Sequence, residues 1–341
     1  MNAHFQKYKL QFKKRATTSR GAMNFRTVWY LFLEENGRTG VGECAPIPGL
    51  SRETNQQIEK LLPKVCTEPE KYINHTSLLL NFPSLRFALE TALIDLQNGG
   101  KRLLYPSAFT KGEAGISING LIWMDEIGAM QLQMEEKLQQ GFHCIKLKIG
   151  AKDFKKELEL MQNIRQHFSA KQITLRVDAN GAFKPEEALG KLHALYELDI
   201  HSIEQPIAAG KWEEMAALCQ QTPLPVALDE ELIGIHGKTE KAELLDRIKP
   251  QFLVLKPSLH GGFSGCNEWI ELANEQNIKW WVTSYLESNV GLNAIAQWVF
   301  TKNTTMPQGL GTGQLFTNNI ESSLEIRGEK LWINPGKKFG L

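Results

Sequence analysis

Lys146 and Lys148 sit one residue apart in CIKLKIG, residues 144–150, among apolar neighbours. Lysine is costly to bury, so two of them in what reads as a core strand ask for a function. Four further strand-like runs downstream also end in charge. RVDAN carries Arg176, Asp178 and Asn180, IEQP carries Glu204, VALDE ends in Asp229 and Glu230, and FLVLKP carries Lys256. Side chains alternate with period two along a strand, so Lys146 and Lys148 share a face, as do Arg176, Asp178 and Asn180. Parity does not choose between Asp229 and Glu230.

Three carboxylates from neighbouring strands repel each other unless something neutralises them. A hard divalent cation does so, and Mg2+ takes oxygen ligands while leaving positions for water or substrate. A buried lysine beside a cation is held low in pKa and serves as a base near neutral pH. Cation plus lysine base describes proton abstraction from carbon next to a carboxylate, with the enolate dianion stabilised as it forms. Singly, each residue has a plainer reading: a strand-end Asp caps a helix, and a lone lysine faces solvent. Five successive ends reading Lys, Asp, Glu, Asp and Lys are what point to a shared site.

These ends belong to eight short β-rich runs. They are GISING (115–120), CIKLKIG (144–150), ITLRVDAN (173–180), SIEQP (202–206), VALDE (226–230), FLVLKP (252–257), KWWVTSY (279–285) and MPQGL (306–310). Successive ends fall 25 to 30 residues apart, separated by amphipathic stretches such as DEIGAMQLQMEEKLQQG and PEEALGKLHALYELD. The first of these starts near Asp125 and stops at Gly141, a suitable glycine just past a helix end. Eight even βα units predict an α/β fold, a parallel (β/α)8 TIM-type barrel over 113–314, with its active-site face at the strands' C-terminal ends. A doubly wound sheet competes, but no GxGxxG follows an early strand.

Residues 1–112 read as an N-terminal α+β capping domain. YKLQFKKR and TVWYLFLEE are strand-like and NGRTGVGE supplies a turn. SRETNQQIEKLLPKV reads as a helix with Ser51 as cap, and PSLRFALETALIDLQNGG as a helix capped by Ser84 and stopped by Gly99–Gly100. The tail, 315–341, contains a hairpin expected to pack back on the first domain and complete it.

A chain of 341 residues accommodates a barrel of roughly 250 residues plus a cap. Net charge is +1, from 39 basic and 38 acidic residues, which argues against nucleic acid or a membrane surface as partner. Cys44, Cys66, Cys144, Cys219 and Cys266 form no CxxC pair, so neither a disulfide framework nor a zinc site is expected. That fits a reducing, cytoplasmic setting. The N-terminus has no signal-peptide core, and no apolar run reaches the roughly 18 residues a bilayer needs.

In these residues the chain resembles the enolase superfamily, specifically its muconate-lactonizing-enzyme-like subgroup. The subgroup's KxK on the second barrel strand matches Lys146-Leu147-Lys148. Its Asp, Glu and Asp metal ligands match Asp178, Glu204 and Asp229, and its sixth-strand lysine matches Lys256. The resemblance covers nearly the whole chain. GVGECAPIPGLSRET (40–54) and VTSYLESNVGL (282–292) are most similar to the o-succinylbenzoate synthase family of the menaquinone pathway. The resemblance implies Mg2+, with Mn2+ as substitute, and a small-molecule dicarboxylate substrate. The implied reaction is loss of water from 2-succinyl-6-hydroxy-2,4-cyclohexadiene-1-carboxylate, giving 2-succinylbenzoate. Lys148 would remove the α-proton and return it to the departing hydroxyl. Lys256 would stay cationic against the enolate and ring, and Lys146 would hold down the pKa of Lys148 as a like charge. Asn180, Arg176 and Glu230 would support these groups; Arg176 also fits an ion pair in the barrel packing.

A racemase or epimerase is the main rival, because two opposed lysines also suit 1,1-proton transfer. Dipeptide epimerases carry an acidic DxD-type motif on the eighth unit; GLGTG (Gly309–Gly313) has no acid there. This disfavours a dipeptide and leaves N-acylamino acid racemisation. A phosphate-binding barrel would use the same glycines, but leaves the five strand ends unexplained. Gly311 is expected either to approach the substrate carboxylate or only to permit a tight turn. Specificity is expected from the loops Ser19–Met23 and Pro48–Leu50. Arg20 attracts an anionic substrate or is solvated. Ser284 and Ser288 would donate to a second carboxylate; Ser288 fits equally well as the cap of the helix beginning NVGLNAIAQW.

Overall fold

The computed structural model describes residues 1–18, 21–123, 125–150 and 153–341; the side chains of 15–18, 21, 22 and 127 are outside that description. Ser19 and Arg20, the first two residues of the Ser19–Met23 loop, lie outside the described residues.

Strands β1 (Asn2–Thr18), β2 (Gly21–Glu35) and β3 (Arg38–Cys44) form an antiparallel sheet in that order. Asn36 and Gly37 join β2 to β3 with φ of 51° and 72°, the two-residue turn that follows the twist of the strands. Helices α1 (Asn55–Thr67), α2 (Pro69–Asn74) and α3 (Pro83–Gln97) cover one face. Trp29, Leu31 and Leu33 pack there with Leu85, Ala88 and Leu89. Neither serine is the cap expected of it. Thr54 caps α1 in a reciprocal box: it accepts the Gln57 N–H at 3.2 Å, and Gln57 Oε1 accepts the Thr54 N–H at 2.8 Å. Ser51 is used in the preceding turn, accepting the Ile47 N–H at 2.9 Å. Ser84 lies within α3, which starts at Pro83, where the missing N–H costs nothing. The Ser84 N–H is met instead by Glu53 Oε1 at 2.8 Å. Gly99 and Gly100, with φ of 100° and 69°, follow the end of α3.

After β4 (Ile116–Ser117), seven parallel strands alternate with helices: β5 (Gly120–Ile122), α4 (Ile127–Gln139), β6 (Cys144–Lys148), α5 (Phe154–His167), β7 (Thr174–Asp178) and α6 (Pro185–Tyr196). They continue through β8 (Ser202–Glu204), α7 (Trp212–Gln221), β9 (Val226–Leu228), α8 (Lys238–Ile248), β10 (Phe252–Leu255), α9 (Gly262–Glu275), β11 (Lys279–Val282) and α10 (Asn289–Phe300). The sheet runs β5 to β11 in chain order, the sequence of a TIM-type barrel. MPQGL closes it without being a regular strand. Gln308 bridges to Ile118 and Gly309 to Thr283, both parallel. Asn119 N–H donates to Gln308 O at 2.9 Å and Ser284 N–H to Gly309 O at 3.0 Å. Pro307 has no N–H to extend the ladder, and a Cβ on Gly309 would lie 2.3 Å from Thr283 Oγ1.

GISING also divides. Its first residues pair outside the barrel, with the tail hairpin β12 (Leu324–Arg327) and β13 (Lys330–Ile333), through Leu331 opposite Ile116. The hairpin therefore completes the barrel's entry strand rather than the cap. The tail meets the cap on both sides of the hairpin: before it, Lys13 N–H donates to Leu315 O and Thr317 N–H to Gln11 O, both at 2.8 Å, and after it Arg102 Nε donates to Leu341 O at 3.2 Å.

Glu43, at the end of β3, joins cap to barrel. Its carboxylate accepts Ser288 N–H at 2.8 Å, Ser288 Oγ–H at 2.6 Å and Gly291 N–H at 2.8 Å, at the start of α10. Burial pushes Glu43 up to about 7 despite these donors. The folded state therefore holds this proton more tightly than the unfolded chain, so stability falls as pH rises from about 5 to 7 and stays lower above that. The full difference is about 3 kcal/mol. Glu43→Gln is expected to lose less stability than wild type over this range, measured by chemical denaturation at several pH values. Parallel pH dependences would show that Glu43 is not the source of the loss.

Candidate active site

Strands β6, β7 and β8 end on Lys148, Asp178 and Glu204. Asp229 and Lys256 each come one residue after a strand, β9 and β10. Register sets them side by side: Lys148 lies opposite Asp178, and Asp178 opposite Glu204. Asp178 and Asp229 are fully buried, and Lys146, Glu204 and Lys256 nearly so. Lys148 is the most open of the group, its side chain 15% exposed.

The lysines lie between the carboxylates. Lys146 Nζ donates to Asp178 Oδ2 at 2.9 Å and Glu204 Oε2 at 2.8 Å. Lys148 Nζ donates to Asp178 Oδ2 and to Asn180 Oδ1, both at 2.7 Å. Lys256 pairs with Asp229. Burial alone would lower Lys146 and Lys256. Here the anions outweigh it: Asp178 and Glu204 hold Lys146 above the ordinary lysine range, and Asp229 does the same for Lys256. Asp178 is held well below the usual carboxylate range, because Lys146 and Lys148 overcome its burial. Burial, together with the charges of Asp178 and Asp229, pushes Glu204 up to about 8.

Among the described residues, no three acidic, histidine or cysteine side chains converge closely enough to hold a cation as arranged. The donor set nevertheless suits a hard one. It is all oxygen, it comes from three adjacent strands, and Glu204 Oε1 is buried without a partner. The ammonium groups supply the neutralising charge in this arrangement.

Asn180 and Glu230 fall beside the base candidate. Asn180 Nδ2 donates to Glu230 Oε1 at 2.9 Å, so Asn180 links Lys148 to Glu230. Of the Asp229–Glu230 pair, Asp229 takes Lys256 and Glu230 takes Asn180. Arg176 makes no ion pair among the described residues. Its guanidinium lies 4.2 Å from the Trp281 ring centroid and donates to Pro307 O at 2.9 Å, so it packs as a cation over an aromatic face.

Ser284 stands at the mouth, its Oγ 2.6 Å from Thr312 Oγ1. Ser288 is not a substrate donor. It is fully buried, its Oγ accepts the Val290 N–H as the cap of α10, and its proton goes to Glu43. Gly311 is exposed, and a Cβ there would come no nearer than 3.6 Å to Ile118, so the protein alone does not require this glycine. Gln205 went unread in IEQP. Its Oε1 accepts the N–H groups of Asp229 and Glu231 at 3.1 and 3.2 Å, fixing the turn after β9. A polar residue between a strand-end acid and a proline was its signal. Thr312 had none beyond its place in GLGTG.

The enolase C-terminal domain-like family matches residues 129–334, and the MenC N-terminal domain family matches residues 1–96. The chain belongs to the enolase superfamily. An o-succinylbenzoate synthase from Desulfotalea psychrophila is 46% identical over 98% of this chain and 99% of that protein. An L-Ala-D/L-amino acid epimerase from a Maribacter species is 30% identical over 87% of this chain and 86% of its own length. The crystal structure of MenC from Desulfotalea psychrophila LSv54 has a TM-score of 0.88 at 43% identity, covering 98% of this chain and 99% of that one. Within the superfamily this chain therefore falls in the o-succinylbenzoate synthase family. Enolase-superfamily enzymes in general use Mg2+.

Proposed function

We propose that this protein is an o-succinylbenzoate synthase of menaquinone biosynthesis, a hydro-lyase acting on 2-succinyl-6-hydroxy-2,4-cyclohexadiene-1-carboxylate. The observation that carries the reading is the full-length likeness to a synthase of that activity. The reaction breaks the α-C–H and C–OH bonds, releases one water and leaves an aromatic ring.

Asp178, Glu204 and Asp229 would hold Mg2+, and bound Mg2+ supplies positive charge where the substrate carboxylate gains electron density. Lys148 acts from its neutral amine. It takes the α-proton and then delivers it to the leaving hydroxide, so one group serves as base and acid. Its openness relative to Lys146 suits contact with substrate. Asn180 orients the amine, and Lys146 places positive charge beside it. Lys256 remains an ammonium and faces the developing enolate and ring. Ser284 and Thr312 offer hydroxyls to the succinyl carboxylate, and Gly311 borders the same substrate. The cytoplasm is the compartment assigned, on the five unpaired cysteines.

The test sets the cyclohexadiene substrate beside an N-succinylamino acid, each with and without chelator. Dehydration lost in chelator and restored by Mg2+ is expected. Full activity in chelator would overturn the carboxylate assignment. Racemisation without dehydration would replace the synthase reading with N-acylamino acid racemase, which the opposed lysines also permit.

A further inference from the structure

Glu287 is fully buried next to the mouth and has no part in the chemistry assigned above. Its two oxygens take donors from two loops. Oε1 accepts the hydroxyl of Ser258, two residues after Lys256, and Oε2 accepts the Tyr285 N–H at 2.6 Å. Leu286, between Tyr285 and Glu287, has φ of 58°, a left-handed conformation that a leucine adopts only when its surroundings impose it. The turn carrying Lys256 is equally constrained. The Lys256 carbonyl accepts the N–H groups of Leu259 and His260 at 2.8 and 2.9 Å, and its own N–H donates to His260 Nδ1 at 3.1 Å.

An isolated buried carboxylate is expensive, and the cap supplies its countercharge. Arg26, on β2, is buried and donates to the carbonyls of Tyr285 and Ala45, within the electrostatic reach of Glu287. From the other side, Glu43 holds Ser288. Residues 285–288 are thus fastened to the cap at both ends, and Glu287 passes that fastening on to the Lys256 turn.

We infer that Glu287 is a positioning residue for Lys256, acting through Ser258. The inference rests on the synthase reading and its role for Lys256. Lysine has a long, flexible side chain, so the placement of its ammonium depends on where its backbone is held. Small misplacement of a reacting group costs rate steeply.

Ser258→Ala removes one oxygen and leaves Glu287 its contact with Tyr285. For dehydration, kcat is expected to fall about tenfold with KM within about twofold, the split of a group that acts in the transition state. Ser258→Thr keeps the hydroxyl and is expected to recover most of kcat. Glu287→Gln leaves one acceptor oxygen for two donors and is expected to lower kcat by a similar factor. Wild-type kcat in Ser258→Ala or in Glu287→Gln overturns the proposal. So does a loss of kcat that comes with an equal rise in KM. If wild type racemises but does not dehydrate, the synthase reading fails, and the same split is read on racemisation. A wild type inactive in both assays overturns both.

Discussion

Lys148→Ala is expected to fold normally and to lose dehydration by about 10²- to 10⁴-fold, the span of a general acid–base group. Lys148 is the one lysine of the three whose removal strands no buried charge. Asp178 keeps Lys146 at 2.9 Å and the Asn180 N–H at 3.0 Å. The side chain is also partly exposed, so truncation opens the mouth rather than a sealed cavity. Lys146→Ala differs: it deprives Asp178 and Glu204 of a shared cation, and its loss of activity would be mixed with loss of stability of about 3–5 kcal/mol. Lys148→Arg separates charge from base. Arginine stays protonated, so it keeps the positive charge and still fails to take the α-proton. Dehydration, and exchange of the α-proton with D2O, would be followed by NMR, with circular dichroism reporting the fold. Dehydration at the wild-type rate in Lys148→Ala would place the base elsewhere.

The site was legible because each of its residues breaks an apolar run at a strand end. Lys148, Asp178 and Glu204 are the last residues of their strands, and Asp229 and Lys256 follow theirs directly. Period-two alternation needs no long-range information. Partnership does. Burial by itself lowers a lysine, but the distance from Lys146 to Asp178 and Glu204 is a property of the closed sheet, and it raises Lys146 instead. Ser288 had two readings locally, and Glu43, 245 residues away, decides between them. The helix caps failed for the same reason in miniature. Ser51 and Thr54 both precede α1, and Gln57 selects Thr54 by returning its hydrogen bond. MPQGL named the right segment for barrel closure, yet its proline and glycine limit it to isolated bridges.

GVGEC was read for its likeness to other capping loops, and its glycines carry a physical demand as well. Gly42→Ala is expected to destabilise the cap by about 3 kcal/mol, at the upper end for overpacking. The added Cβ would lie 1.8 Å from the Ala88 carbonyl oxygen and 2.7 Å from Thr91 Oγ1. The obstacle is helix backbone, and Thr91 ties it further by donating to Phe87 O at 2.8 Å and Ala88 O at 3.2 Å. No rotamer change relieves the clash, so α3 must move off β3. That movement would also pull on the barrel, because Glu90 of α3 accepts the N–H groups of Phe263 and Ser264 at the start of α9. Gly128→Ala is the control: nothing lies within 4 Å of its Cβ, and alanine in a helix should add up to about 1 kcal/mol. Denaturant midpoints would compare the two. A wild-type midpoint for Gly42→Ala would mean that α3 yields without cost and that the contact does not set the cap's geometry.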